Sequence, residues 1–169
     1  MATGRSVQLT KQVGEYLVAA ELCRRRLIAT TFTGNVPHYD IVASNEKGRH
    51  VAVQVKAIRG GSWQLNFGAF AHVTFRGKRQ IIGAPTDAPV AKLICVFVML
   101  KEYGRDCFYV LDWRDLQAIV IEGHGAWLKK HGGVRPQNPK SLHAAVRPWQ
   151  LDKYEDNWAL IERRLRART

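Results

Sequence analysis

The chain has 169 residues, 46% hydrophobic and 24% charged, which is enough to bury a core without staples and excludes global disorder. Lysine and arginine number 26 against 14 acidic residues, a formal charge of +12, which favours a polyanionic partner and says nothing about fold. The three cysteines (Cys23, Cys95, Cys107) form no CxxC, and the six histidines are scattered, so neither a disulfide framework nor a zinc site is expected. The cysteines read as small buried hydrophobes.

The N-terminal residues contain no apolar signal-like core and no run is long enough to span a membrane, so a cytoplasmic, single-domain protein is expected over residues 1–169. Its core would cover about 8–131, with a helical extension over about 149–167.

The first element is a helix from about Thr10 to Leu27, with Val13, Leu17 and Ala20 at helical spacing, Thr10 as N-cap and Arg24, Arg25 and Arg26 in the last turn. Glu15 falls between Val18, Ala19 and Leu22, inside an apolar stripe, where a lone carboxylate is costly unless a cation accompanies it. Glu21 lies beside Arg25 and reads as a surface ion-pair partner. Leu27 to Thr33 reads as a strand stopping at a Gly34-Asn35 turn.

Two strands follow, His38–Ser44 and His50–Ala57. A three-residue loop Glu46-Lys47-Gly48 would put Gly48 where a type I turn with a G1 bulge needs a left-handed residue. That register pairs Asn45 with Arg49, Ala43 with Val51, Ile41 with Val53 and Tyr39 with Val55, gathering the apolar residues on one face. On the other face Asp40 would lie across from Gln54, with Lys56 two residues on.

Further along, Gly60-Gly61-Ser62 is a turn and Trp63 to Phe67 a strand, while Arg76 to Arg79 and Gly83-Ala84-Pro85 read as loop. Ala91 to Leu100 is a strand buried on both faces, with Asp106 to Leu111 its antiparallel neighbour. Asp112 would cap a helix from Trp113 to Ile121, with a second helical piece from Ala126 to His131. Arg135 to Pro148 reads as a long surface connection. Leu151 to Ala167 is a terminal helix carrying Tyr154, Trp158, Ile161 and Leu165 on one face. The tryptophans Trp113, Trp127, Trp149 and Trp158 read as core, and His124 and His131 as surface.

Phosphodiester cleavage needs charge neutralisation at the phosphate, a polarised water and a group that positions it. Hard oxygen ligands around Mg²⁺ provide the first two, and a neighbouring lysine the third. Asp40, the side-chain oxygen of Gln54, the main-chain carbonyl of Val55 and the amine of Lys56 are the matching residue types, with Glu15 as a further carboxylate.

The strings GEYLVAAEL (14 to 22), YDIVAS (39 to 44) and VAVQVKA (51 to 57) resemble the N-terminal half of PD-(D/E)XK nucleases. The likeness spans about residues 12 to 64 and is nearest to the small Holliday-junction-resolvase-like and homing-endonuclease branches. It implies a restriction-endonuclease-like three-layer α/β fold, a central mixed β-sheet flanked by helices. It further implies Mg²⁺ (or Mn²⁺) held by Asp40, Gln54, Val55 and Glu15, catalysis by Lys56, and hydrolysis of DNA leaving 5′-phosphates. Gln54 stands where the family more often has Glu or Asp, although some active branches carry QxK. Pro37 stands upstream of the usual proline position.

Nucleic-acid contacts are expected from Arg59, Ser62 and Trp63 after the active-site strand, and from Arg76, Lys78 and Arg79. A symmetric homodimer would let one small site cut both strands. The rival expectations are an inactive DNA-binding protein of the same fold and a basic assembly module without nuclease chemistry.

Overall fold

The computed structural model describes residues 4–32 and 37–166, so the expected Gly34-Asn35 turn, Thr33 and Ala167 lie outside the described residues. The chain divides into two compact units. One comprises Met1–Gly61, Ala88–Trp113 and Leu151–Thr169, the other Ser62–Asp87 and Arg114–Gln150.

The first unit is mixed α/β: a central mixed sheet flanked by helices. Its five strands are β1 (Ile28–Thr31), β2 (Ile41–Ser44), β3 (His50–Ile58), β7 (Ile94–Met99) and β8 (Cys107–Asp112), ordered β1-β2-β3-β7-β8. All neighbours are antiparallel except β3 and β7, which run parallel. The expected hairpin register holds at Ile41↔Val53 and Ala43↔Val51, and Asn45 N–H donates to the Arg49 carbonyl. Gly48 has φ 71°, the left-handed conformation that this turn requires of a glycine. The ladder ends at Ile41, so the expected Tyr39–Val55 pair does not form within it. β3 lies inside the sheet, not at its edge, with the apolar strand β7 beside it.

Alternation on β3 sorts its side chains. Val51, Val53 and Val55 join Ile94, Val96 and Val98 in a core that includes Val18 and Leu22 of α1 (Gly4–Arg24) and Ile161 and Leu165 of α3 (Ala159–Arg166). Gln54 and Lys56 pair with Cys95 and Phe97 and therefore share the opposite face.

Helix α1 starts well before Thr10, which is interior to it and donates its hydroxyl to the Ser6 carbonyl. Its buried stripe is Gly14, Val18 and Leu22; Val13 and Ala20 are exposed, which corrects the Val13/Leu17/Ala20 reading. Arg25 and Arg26 fall beyond its end, and Arg26 takes a left-handed φ of 62°. Glu21 pairs with Arg24 and Arg25. Cys95 is buried as expected, but Cys23 is exposed because it sits one position past Leu22 on the helix. The terminal helix is shorter than expected: a 3-10 turn at Asp152–Tyr154 precedes it, and Asp156 (φ 48°) breaks the chain before α3. Tyr154, Trp158, Ile161 and Leu165 are nevertheless all buried. Asp112 ends β8 and accepts a hydrogen bond from Arg164 at 2.8 Å.

The second unit holds two antiparallel pairs, β4 (Trp63–Asn66) with β9 (His143–Val146) and β5 (Ala71–Arg76) with β6 (Arg79–Pro85), and most of helix α2 (Trp113–Lys130). Three expectations are corrected here. Residues 71–85 are a hairpin whose tip is the two-residue turn Gly77-Lys78, with Gly77 at φ 61°. The connection after Arg135 contains β9. The two expected helical pieces are one helix, because Leu116, Val120, His124 and Leu128 form a continuous buried i, i+4 stripe. That burial outweighs a cost of about 1 kcal/mol for each of the helical glycines 123 and 125.

Buried Gln80 fastens the long connection to β6. Its Nε2 donates to the carbonyls of Pro139 and Ser141 at 2.8 and 2.9 Å. Its Oε1 is therefore the acceptor facing His124, whose Nε2 at 3.2 Å must carry the proton. His124 is 6% exposed and stacks on Phe67, which corrects its reading as a surface residue. Trp113 and Trp158 are core, whereas Trp149 is 66% exposed and is not. Among the described residues no helix is long and apolar enough to cross a membrane.

Candidate functional site

The site begins with a close approach of backbones. A Cβ on Gly14 would lie 2.4 Å from the Ala57 Cβ, so only glycine lets α1 come this near to β3. The next residue, Glu15, is thereby carried down beside the end of β2, where Asp40 sits.

Asp40 reaches into the plane of the sheet. Its main-chain N–H donates to the Val53 carbonyl at 2.9 Å, and its Oδ2 accepts the Val55 N–H at 2.8 Å. The carboxylate thus serves as a strand acceptor where the ladder has ended. Its Oδ1 lies 3.5 Å from Lys11 Nζ, and the same ammonium lies 3.4 Å from Glu15 Oε1. Both carboxylates are largely buried, 18% exposed for Glu15 and 16% for Asp40. Glu15 Oε1 is buried and completes no hydrogen bond.

These surroundings show in the ionisation equilibria. Burial, and then the negative charge of Asp40, raise the Glu15 pKa above the usual carboxylate value, with Lys11 acting in the other direction. Burial of Lys11 works against its own charge, but Asp40 and Glu15 together outweigh it and lift its pKa above the ordinary lysine value. Lys11 marks the point where a cation is electrostatically favoured. The sequence reading missed it; its only signal was the i, i+4 spacing to Glu15.

Gln54 is tied to the same turn from the other side. Its Nε2 donates to the His38 carbonyl at 3.1 Å, which fixes the amide's orientation and leaves Oε1 as its acceptor. His38 has φ 75°, a left-handed conformation disfavoured for a residue with a Cβ. Gln54 therefore holds a strained turn that presents Asp40. It is not the direct cross-strand partner of Asp40 that the register suggested, because the ladder stops at Ile41.

Lys56 lies two residues along the Gln54 face, paired with Phe97. Its charge opposes the burial that pushes the neighbouring Cys95 thiol up to about 12, so that thiol stays protonated and inert. The constellation is thus brought together in two parts. Lys11 and Glu15, on helix α1 packed against the Val55 face, meet Asp40 just before β2. Gln54 and Lys56 occupy the other face, linked to Asp40 through His38 and the Val55 main chain.

Oxygen donors are the right chemistry for Mg²⁺ or Mn²⁺, and Glu15 Oε1, buried and facing the Lys11 ammonium at 3.4 Å, is an acceptor that such an ion could take over. The two carboxylates that meet, Glu15 and Asp40, fit a hard divalent cation. Among the described residues no cluster of three or more His, Cys, Asp or Glu side chains exists, so Gln54 Oε1 and the Val55 carbonyl would have to complete any ligand set.

The expected nucleic-acid contacts divide by exposure. Arg59, Arg76, Lys78 and Arg79 are exposed, the last three at the tip of the β5–β6 hairpin. Ser62 is half-buried and accepts a hydrogen bond from Gln64. Trp63 is 1% exposed in β4, so its indole is core and cannot meet a ligand.

No protein-family model matches the chain, and no curated protein does. Among solved structures it is similar to the bacterial homing endonuclease I-Ssp6803I, at 13% identity over 94% of each chain and a TM-score of 0.53. A likeness at this identity is one of fold: the chain has a nuclease-like α/β fold.

Proposed function

We propose that this protein is a divalent-metal-dependent endonuclease that hydrolyses DNA phosphodiesters, a PD-(D/E)XK enzyme of the QxK type. The observation that carries this reading is the pair of half-buried carboxylates, Glu15 and Asp40, converging beside a strand that bears Gln54 and Lys56. The fold shared with a homing endonuclease and the net charge of +12 support it.

Asp40, Glu15, Gln54 Oε1 and the Val55 carbonyl would hold Mg²⁺, with Mn²⁺ as a substitute. A bound ion of this class neutralises the scissile phosphate and polarises a water. Lys56 adds positive charge where negative charge develops and holds the attacking water at its Nζ. Arg76, Lys78 and Arg79, on an exposed two-stranded ribbon, contact DNA phosphates, and a symmetric dimer cuts both strands.

One observation favours a second reading. Lys11 already bridges the two carboxylates, as the built-in cation of a DNA-binding protein that does not cleave would. A plasmid-nicking assay with Mg²⁺ or Mn²⁺ decides between them. Wild type nicks, Asp40→Ala and Lys56→Ala do not, and all three bind DNA. If wild type fails to cleave any plasmid, branched or single-stranded substrate with either metal, the enzyme reading is wrong. Salt-insensitive or absent DNA binding would remove the nucleic-acid reading with it.

A further inference from the structure

The second unit carries a cleft of about 390 Å³ that the proposed chemistry does not use. Lys130, Arg135 and Arg147 line it together with His143, and among its lining residues none is acidic. Two indoles, Trp127 and Trp149, complete its aromatic character. They are not equivalent. Trp127 has the Arg135 guanidinium 5.0 Å from its ring centroid and the His131 ring at 4.3 Å, so it is already engaged within the protein. It acts as a support that holds Arg135 in place, while Arg135 also donates to the His143 carbonyl.

Trp149 is 66% exposed. An indole left in water costs apolar hydration, yet this one sits on a firmly held mount. Its 3-10 turn, Pro148–Gln150, is closed by Gln150 N–H to the Arg147 carbonyl at 3.0 Å, and Gln150 Oε1 in turn accepts the Arg147 N–H at 2.9 Å. A presented aromatic plane flanked by exposed Arg147 and Lys130 pairs a stacking platform with cations. Arg135 Nε adds a buried donor that has no partner in the protein.

We propose that this cleft binds single-stranded nucleic acid, stacking one unpaired base on Trp149 while Arg147 and Lys130 engage its flanking phosphates. The charged residues of the lining, Lys130, Arg135 and Arg147, are all cations, which selects a polyanion. The isolated indole selects an unpaired base, because a base within a duplex already has both faces covered. The site does not depend on Glu15, Asp40 or Lys56.

The test is fluorescence anisotropy of a short labelled oligodeoxythymidylate with the full-length protein in EDTA, where no cleavage occurs. Trp149→Ala weakens binding by roughly five- to a hundredfold, the range of one base–aromatic stack. Trp149→Phe retains most of the affinity, and Arg147→Ala reduces the salt slope by about 0.7. Tyr103→Ala, which removes a fully exposed aromatic side chain outside the cleft, binds as wild type. Because EDTA takes cleavage out of the readout, a failure here is distinct from a failure of the nuclease reading. The proposal is overturned if Trp149→Ala binds normally, if Trp149→Phe is as weak as Trp149→Ala, or if a duplex probe loses as much affinity. It is equally overturned if Trp149→Ala changes only the sedimentation of the protein, which would make this face a contact between copies of the chain.

Discussion

Gly14→Ala sets helix propensity against packing. In a 21-residue helix an exposed glycine replaced by alanine would stabilise by about 1 kcal/mol. At position 14 the new Cβ would instead sit 2.4 Å from the Ala57 Cβ, with the Ala57 Cα at 3.7 Å. Alanine has no rotamer with which to move away, and Ala57 belongs to β3 inside the sheet. Helix α1 must therefore retreat by roughly 1–1.5 Å to restore an ordinary carbon contact of about 3.5–4 Å. Overpacking costs about 1–3 kcal/mol, and a 2.4 Å clash against a strand inside the sheet belongs to the upper part of that range, about 2–3 kcal/mol. After the propensity gain of about 1 kcal/mol the variant should lose roughly 1–2 kcal/mol. Equilibrium urea unfolding measures this directly. Gly125→Ala is the control: its Cβ meets only the Ile82 side chain, at 3.7 Å, and it should stabilise by about 0.5–1 kcal/mol. Ala57→Gly combined with Gly14→Ala should recover part of the loss, a coupling that two independent sites would not show. Because Glu15 is the adjacent residue, the same retreat draws its carboxylate from Asp40 and reduces any thermal stabilisation by Mg²⁺. A Gly14→Ala protein as stable as wild type would refute the close-approach reasoning.

Gln80→Leu leaves the Pro139 and Ser141 carbonyls and the His124 N–H without their partner, a loss of roughly 2–4 kcal/mol readable by thermal or urea unfolding. Burial, aided by the charge of Arg135, lowers the His124 pKa to about 4. The unfolded chain then binds a proton below about pH 6.5 that the folded chain refuses, so stability falls as pH drops from about 6.5 towards 4, by up to roughly 3 kcal/mol. In urea titrations across that window, His124→Gln should flatten the slope; an unchanged slope would exclude His124 as its source. Gln54→Glu replaces the donor to the His38 carbonyl with a repelling oxygen and should cost the metal-free protein about 1 kcal/mol. Thermal melts should then show a larger gain with Mg²⁺ than wild type, and no gain would argue against Gln54 as a ligand.

What the sequence made legible follows from the range of the interactions involved. The β2–β3 register could be read because a left-handed Gly48 and the Val51/Val53/Val55 alternation constrain it independently. The buried strand β7 announced itself by an unbroken apolar run. The Glu15 inference also rested on a local pattern, the Val18–Leu22 stripe. Elements stabilised by distant partners were opaque. β9 is four residues, His-Ala-Ala-Val, whose strand character comes from pairing with Trp63–Asn66. The β5–β6 hairpin was masked by the charge of Arg76 to Arg79, and α2 by its glycines. His124 was readable in principle as the third member of the Leu116/Val120/Leu128 stripe, had the i, i+4 series been weighed above its polarity.

Gln54 is the residue whose meaning the structure alters most. Read as a motif position, it is a carboxylate that has lost its charge. Read in place, its amide performs a task that glutamate cannot: Nε2 donates to the carbonyl of His38, a residue held at φ 75° immediately before the segment that presents Asp40. A glutamate there would meet that carbonyl oxygen to oxygen and release the turn. A second carboxylate stands at position 15, where Gly14 lets Glu15 approach Asp40 around Lys11. Under the proposed metal chemistry, an amide that fixes the turn is tolerable only if a second carboxylate reaches the site from the helix. Substituting both, Glu15→Gln with Gln54→Glu, should therefore restore Mg²⁺-induced stabilisation that Glu15→Gln alone abolishes, while leaving the metal-free turn loosened. If the double variant responds to Mg²⁺ no better than Glu15→Gln, charge at the two positions is not interchangeable and the compensation argument fails.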